Sequence, residues 1–389
     1  QERTLLENAA MNLIVLAALA WGGVLAGPTL KDLGAADFSC PADVMKKSAS
    51  VPKSVHSLRF ADIDIIAALG DSLTAANGAG ARPHDPVAVL LQYRGLAFAM
   101  GGDKSLEEHV TLPNLLRKFN PALFGYSNGV GSANVWNVAK LNTAVPGATS
   151  GDLVGQANDL IRRMKAHPEI KFNDHWKMVS IFIGGNDICD YCRKPEAEAP
   201  NRFRDNIKQA IQILKDNLPR TIVVLTGMLD LSLLRRVDKN DPFCEGLHVF
   251  ECSCEQEVHF SNEEISKICH EYMKTEQEIQ DQGLFDSSDD FTVVIQPLFE
   301  DLENPPYLPD GKPDLSFFAP DCFHFSQFGH AMVAKNLWNN MIQPVGKKNR
   351  VAEVNNPNFP LLCPDTACPF IRTTKNSADC SKYITPAAN

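Results

Sequence analysis

The chain has 389 residues, 44% of them hydrophobic, with a formal net charge of −10 and a pI near 5.5. That length suits one large domain or two ordinary ones with a real buried core. The acidic balance argues against a surface built to wrap nucleic-acid phosphates and against a purely electrostatic grip on anionic membranes.

In chain order, the first element is an apolar stretch from Leu13 to Ala26, LIVLAALAWGGVLA. It is shorter than the roughly 20 residues that a membrane span needs. It has the length of a signal-peptide core, and Val24-Leu25-Ala26 offers small residues for cleavage after Ala26. No Lys or Arg lies between Met11 and the run, so a buried N-terminal helix is the alternative. The expectation is an N-terminal extension and signal peptide over 1–26, an arm over 27–58, and a secreted, extracellular product. No other apolar run reaches spanning length, so no transmembrane anchor is expected.

Five β-branched runs follow: Ile63–Leu69, Val135–Leu141, Met178–Ile183, Thr221–Thr226 and Phe291–Gln296. All but the second are nearly continuous in apolar character, as strands buried on both faces of a parallel sheet are. Stretches of helical length lie between and after them. These are Asp152–Ala166 after Ser150, Arg202–Asn217 before Pro219, Asn262–Gln282 after Ser261, and Gln327–Ile342 after Ser326. Ser261 and Glu264 have capping-box spacing. The alternation predicts an α/β doubly wound sheet with right-handed crossovers. The main domain is expected over 59–345. A cysteine-rich insertion, 244–269, interrupts it, and a wrapped tail follows over 346–389.

All eleven cysteines lie after Ala26. Cys189-x-x-Cys192, Cys252-x-Cys254 and the group Cys363, Cys368 and Cys380 have zinc-like spacings. In a secreted chain the same spacings read as disulfides. His248, His259 and His270 lie near the middle group and keep a metal site open. An odd count leaves at least one thiol unpaired or bonded to another chain.

Four segments carry chemistry. In Gly70-Asp71-Ser72-Leu73 a strand ends, glycine permits a tight turn, and a serine stands at the carboxyl edge of a sheet, where α/β proteins bind ligands. Asp321-Cys322-Phe323-His324 offers a base and a carboxylate to orient it. Gly184-Gly185-Asn186-Asp187 follows another strand, and the Asn186 amide can donate to an oxyanion. Asn142-Thr143-Ala144-Val145-Pro146-Gly147-Ala148 offers the Gly147 backbone N–H to the same end. Singly, each reads as well as a turn, a cap or a packed side chain; together they supply every part of an acyl-transfer site at one sheet edge.

These blocks resemble the GDSL/SGNH hydrolases, whose Ser, Gly, Asn and His fall on Ser72, Gly147, Asn186 and His324, with the Asp on Asp321. The stretches GDSLTAANGAGA, YRGLAFAMGGD, TLPNLLRKFNP, NTAVPGATSGDL, IFIGGNDICDYC, DCFHFSQFGH, LWNNMIQPVG and LCPDTACPF are similar, more narrowly, to the animal phospholipase B family. The similarity runs from about Arg59 to Ser377. Ala76 departs from it, standing where the family often has glycine. The resemblance implies a flavodoxin-like, three-layer α/β fold with a central parallel five-stranded sheet. It also implies a serine esterase with Ser72, Asp321 and His324 catalytic and with Ser72, Gly147 and Asn186 as the oxyanion hole. It calls for no cofactor and no metal. The implied substrates are phospholipids and lysophospholipids at a lipid–water interface. A carbohydrate or small-ester esterase, or a catalytically silent lipid-binding protein on the same scaffold, are the alternatives.

Overall fold

The computed structural model describes residues 30–388, except 86, 239, 240, 256 and 258, and leaves out the side chains of residues 249 and 250. The expected signal peptide lies outside the described residues. No helix among the described residues is long and apolar enough to cross a membrane.

Four strands form one parallel sheet in the order β1-β2-β3-β4: β1 Ile63–Gly70, β2 Trp176–Phe182, β3 Thr221–Thr226 and β4 Phe291–Gln296. Nearly every strand residue is buried, which is why these runs lack polar alternation. Eight helices matter to the site: α1 Ser72–Ala75, α2 Leu112–Phe119, α3 Leu153–Ala166, α4 Gly185–Tyr191, α5 Pro200–Asn217, α6 Pro242–Glu251, α7 Asn262–Asp281 and α8 Gln327–Ile342. Side chains alternate across the sheet. Ile66, Ala68, Val224 and Val294 face a core shared with α2 and α8. Ile65, Ala67, Leu69, Val223 and Ile295 face a second core shared with α3, α5 and α7. The result is three layers, helices on both faces of the sheet.

The fifth expected strand is a correction. Among the described residues the sheet has four strands, and Val135–Leu141 contains a one-turn helix, Trp136–Ala139. Trp136 stacks on His167 at 3.3 Å between ring centroids, and Lys140 turns the chain with φ 44°. Local β-propensity yields to that packing. The outer edge of β1 is still covered: Phe124 and Asn142 form isolated parallel bridges to Ile65 and Ala68. The other boundaries move little. Ser261 and Glu264 form the expected capping box. At α3 the N-cap position is Asp152, not Ser150; Ser150 lies in a preceding 3-10 turn that Thr149 caps and Asp152 reciprocates.

Ten of the eleven cysteines pair, as Cys40–Cys363, Cys189–Cys252, Cys192–Cys254, Cys244–Cys322 and Cys368–Cys380, and buried Cys269 is the free thiol. The zinc reading of those spacings is therefore set aside. Five disulfides belong to an oxidising compartment. The tail runs back over the domain: Trp338 Nε1 donates to Leu362 O at 2.8 Å, and Phe370 bridges Arg59.

Cys40–Cys363 joins residues 323 apart in sequence. Replacing both by serine is expected to cost about 2–4 kcal/mol of unfolding free energy, measured by denaturant titration. A loss under about 0.5 kcal/mol would mean that the arm and tail are held by packing alone.

Candidate active site

The site begins at the carboxyl end of β1. Gly70 has φ 158°, and a Cβ there would stand 2.4 Å from Thr74 Oγ1 and 2.5 Å from Phe182 O, so only glycine fits. One side chain satisfies both of its backbone groups: Gly70 N donates to Gln156 Oε1 and Gln156 Nε2 donates to Gly70 O, each at 2.8 Å. Asp71 then caps α1, accepting from Leu73 N at 2.9 Å. Ser72 is therefore the first residue of a helical turn, where backbone N–H groups have no intrahelical acceptor. Ala76 closes the turn with φ 56°, a left-handed conformation that glycine adopts more cheaply.

Facing Ser72 is the loop before α8. His324 Nε2 lies 2.7 Å from Ser72 Oγ, and His324 Nδ1 lies 2.5 Å from Asp321 Oδ2. The other oxygen of Asp321 accepts from Phe323 N and His324 N at 3.1 and 3.0 Å. Asp321 has no exposed surface and His324 is 8% exposed. Between them Cys322 has φ 61°, a left-handed conformation that costs a non-glycine residue energy and recurs at functional sites. Its disulfide to Cys244 holds it there.

Burial disfavours the His324 imidazolium. The charge and hydrogen bond of Asp321 outweigh that, with Glu251 and Asp71 behind them, and His324 is pushed up to about 9. Burial also works against the Asp321 carboxylate, but His324 holds it below its ordinary value.

The other two blocks meet beside α1. Asn186 Nδ2 donates to Ala148 O at 2.9 Å, next to Gly147, which has φ 79°. Asp187 accepts from Ser150 N at 3.0 Å and from Ser150 Oγ at 2.6 Å. These bonds tie the loop after β2 to the 147–150 turn. The sequence-derived residues Ser72, Gly147, Asn186, Asp321 and His324 thus lie on four segments at one edge of the sheet.

Sequence reasoning passed over several residues that hold these loops. Arg94, fully buried, donates to Asn142 O and Ala144 O at 3.2 and 2.7 Å. Asn142 donates to Thr74 O at 2.9 Å. Gln156 and Glu251 were also missed. Arg94 stands in the YRGLAFAMGGD block, so a charged residue within an apolar run was its only signal. The candidate metal histidines do not join the cysteines. His248 instead lies between buried Asp238 and Glu255.

Two apolar hollows flank the 317–325 loop. The larger, about 330 Å³, is lined mostly by apolar residues such as Ala79, Phe243 and Phe318, with Lys31, His84 and Asp241 also in its wall. The smaller, about 40 Å³, has no charged lining residue and reaches Leu73 and Gly185, neighbours of Ser72 and Asn186, along with Leu231, Leu233, Phe299 and Phe323.

Residues 66–337, well over half of the chain, match the GDSL-like Lipase/Acylhydrolase family. The chain belongs to that family. Within it, the chain is 44% identical over 350 residues to "Phospholipase B1, membrane-associated" of Mus musculus, covering 88% of this chain and 23% of that protein. The protein of the same name from Homo sapiens is 41% identical over 336 residues, 85% of this chain and 23% of that protein. The chain thus spans under a quarter of the length of these curated relatives. Among solved structures, the acetylxylan esterase Axe2 of Geobacillus stearothermophilus is similar at 15% identity and a TM-score of 0.37, covering 70% of this chain and 91% of that one.

In this GDSL-family chain two buried acids carry a stability signature. Burial pushes Asp187 up to about 7 and Asp71 up to about 6, against an ordinary 3.8. A native pKa raised above the unfolded value stabilises the fold fully below the unfolded pKa, and that contribution is lost as pH rises through the native pKa. For Asp187 the window runs from 3.8 to about 7. Urea titrations across it are expected to show the unfolding free energy falling with pH, and less steeply in Asp187→Asn. Equal slopes in the two proteins would count against a protonated Asp187.

Proposed function

We propose that this chain is a secreted serine esterase that hydrolyses acyl esters of phospholipids and lysophospholipids. Ser72 attacks the ester carbonyl while His324 takes its proton. Asp321 holds the imidazole in the required tautomer and stabilises the imidazolium. The tetrahedral oxyanion is held by the Ser72 and Gly147 backbone N–H groups and by Asn186. One N–H of the Asn186 amide is committed to Ala148 O; an amide NH₂ carries two, leaving one for the oxyanion. His324 then protonates the leaving alcohol, and water releases the acyl group from Ser72. No step calls on a metal or organic cofactor. Because Asp321 raises the His324 pKa, kcat/KM rises toward alkaline pH, where the base is neutral.

One observation carries the choice of lipid over sugar ester: the hollows beside the 317–325 loop are apolar, and the one nearest Ser72 has no charged lining. The larger hollow falls at the lower end of the usual range for ligand pockets, roughly 300–1,000 Å³. The smaller, at about 40 Å³, is lined by leucine, phenylalanine, proline, valine and glycine residues. The likeness to the phospholipase B1 proteins supports the same reading, and the five disulfides support secretion.

The test is fatty-acid release from phosphatidylcholine and lysophosphatidylcholine by wild type, Ser72→Ala and Asn186→Ala. Release by wild type is expected to vanish in Ser72→Ala and to fall about 10²–10³-fold in Asn186→Ala. Turnover of acetyl esters but not of either lipid would favour the small-ester alternative. A folded protein whose Ser72 fails to react with a fluorophosphonate would favour the silent lipid-binding one.

A further inference from the structure

Helix α6, in the cysteine-rich insertion, presents Cys244, His248 and Glu251 on one face, spaced i, i+4 and i+7. All three reach the loop that carries Asp321 and His324. Cys244 is bonded to Cys322. His248 Nε2 lies 3.0 Å from Asp321 O; a carbonyl only accepts, so Nε2–H is the donor. His248 Nδ1 in turn lies 3.3 Å from Asp238 and 3.7 Å from Glu255, which fixes the ring. Glu251 completes the row: its carboxyl, the Asp321 carboxylate and a His324 ring nitrogen lie within 4.8 Å of one another.

Two carboxyls this close in a buried site do not both ionise cheaply. Asp321 is already committed to His324 and to two backbone N–H groups. Glu251 has no such commitment, and its Oε2 is buried without a hydrogen-bond partner among the described residues. Burial and then the facing charge of Asp321 push Glu251 up to about 8. The groups facing it are Asp321 and His324 from the loop and His248 from its own helix, while Asp71, the cap of α1, faces His324.

We propose that Glu251 is a positioning residue for the acid–base pair, a carboxyl that offers its proton to Asp321 while neutral, ionises over the range in which His324 titrates, and so sets how readily His324 gives up its own proton. The inference rests on the serine-esterase reading above. A protonated Glu251 draws on the charge of Asp321 and eases deprotonation of His324. An ionised Glu251 adds negative charge beside the imidazole and opposes it.

Glutamine is the discriminating substitution, since it keeps a donor toward Asp321 and never ionises. In Glu251→Gln the acid limb of the kcat/KM–pH profile is expected to move to lower pH by about half a unit or more. Glu251→Leu never ionises either but offers Asp321 no donor, so its limb falls between those of wild type and Glu251→Gln. Thermal unfolding checks that each variant is folded, and the leucine variant serves if the glutamine one is not. Acid limbs that superimpose in active wild type and a folded variant would remove the role of Glu251 alone. A wild type that neither hydrolyses esters nor reacts with a fluorophosphonate at Ser72 would remove the esterase reading and this inference with it.

Discussion

The row Asp321–His324–Ser72 joins side chains 252 residues apart in sequence through contacts of 2.5 and 2.7 Å. Hydrogen bonds weaken steeply with misalignment, so the loop before α8 and the end of β1 have to be held rigidly to each other. Much of the surrounding structure serves that requirement. Gln327 N, at the start of α8, donates to Ala79 O at 2.7 Å, just beyond α1. Gln156 clamps both backbone groups of Gly70. Cys244–Cys322 and His248 secure the loop from the opposite side.

The same demand explains the buried charge. Arg94 has no exposed surface, and burial lowers its pKa to about 10. A guanidinium in that position is costly unless its donors are used. Here they reach Gln92, Gly131, Asn142 and Ala144. The irregular segment along the outer edge of β1 cannot satisfy its carbonyls as a regular strand would, and Arg94 does so instead. Asp187 does the matching work for donors, taking the Ser150 N–H and hydroxyl. Polar groups thus hold the loops while apolar cores hold the layers.

The cysteine-rich insertion is more than a decoration of the crossover between β3 and β4. Cys189–Cys252 and Cys192–Cys254 tie it to α4 and to the residue that ends α4, and α6 leans on the Asp321–His324 loop. A segment outside the sheet and its helices therefore sets the environment of the base. Placing that control on a helical face gives it a fixed spacing that a flexible loop lacks.

The layers and the candidate residues follow from local patterns along the chain. Strands buried on both faces must be continuous apolar runs, and four of these stood out with boundaries within two residues of the folded ones. Ser72, Asn186, Gly147, Asp321 and His324 were legible because each sits at a strand end or before a helix, in a local pattern. The rest comes from contacts between segments far apart in the chain. Val135–Leu141 has strand composition, yet the stacking of Trp136 on His167 makes it a helical turn, and packing against a residue 31 positions away leaves no mark on local periodicity. The cysteine pairing, the clamp of Gln156 on Gly70 and the approach of Glu251 to Asp321 were equally silent. Each depends on a distance between segments that are separate in the chain, and local pattern carries no record of such distances.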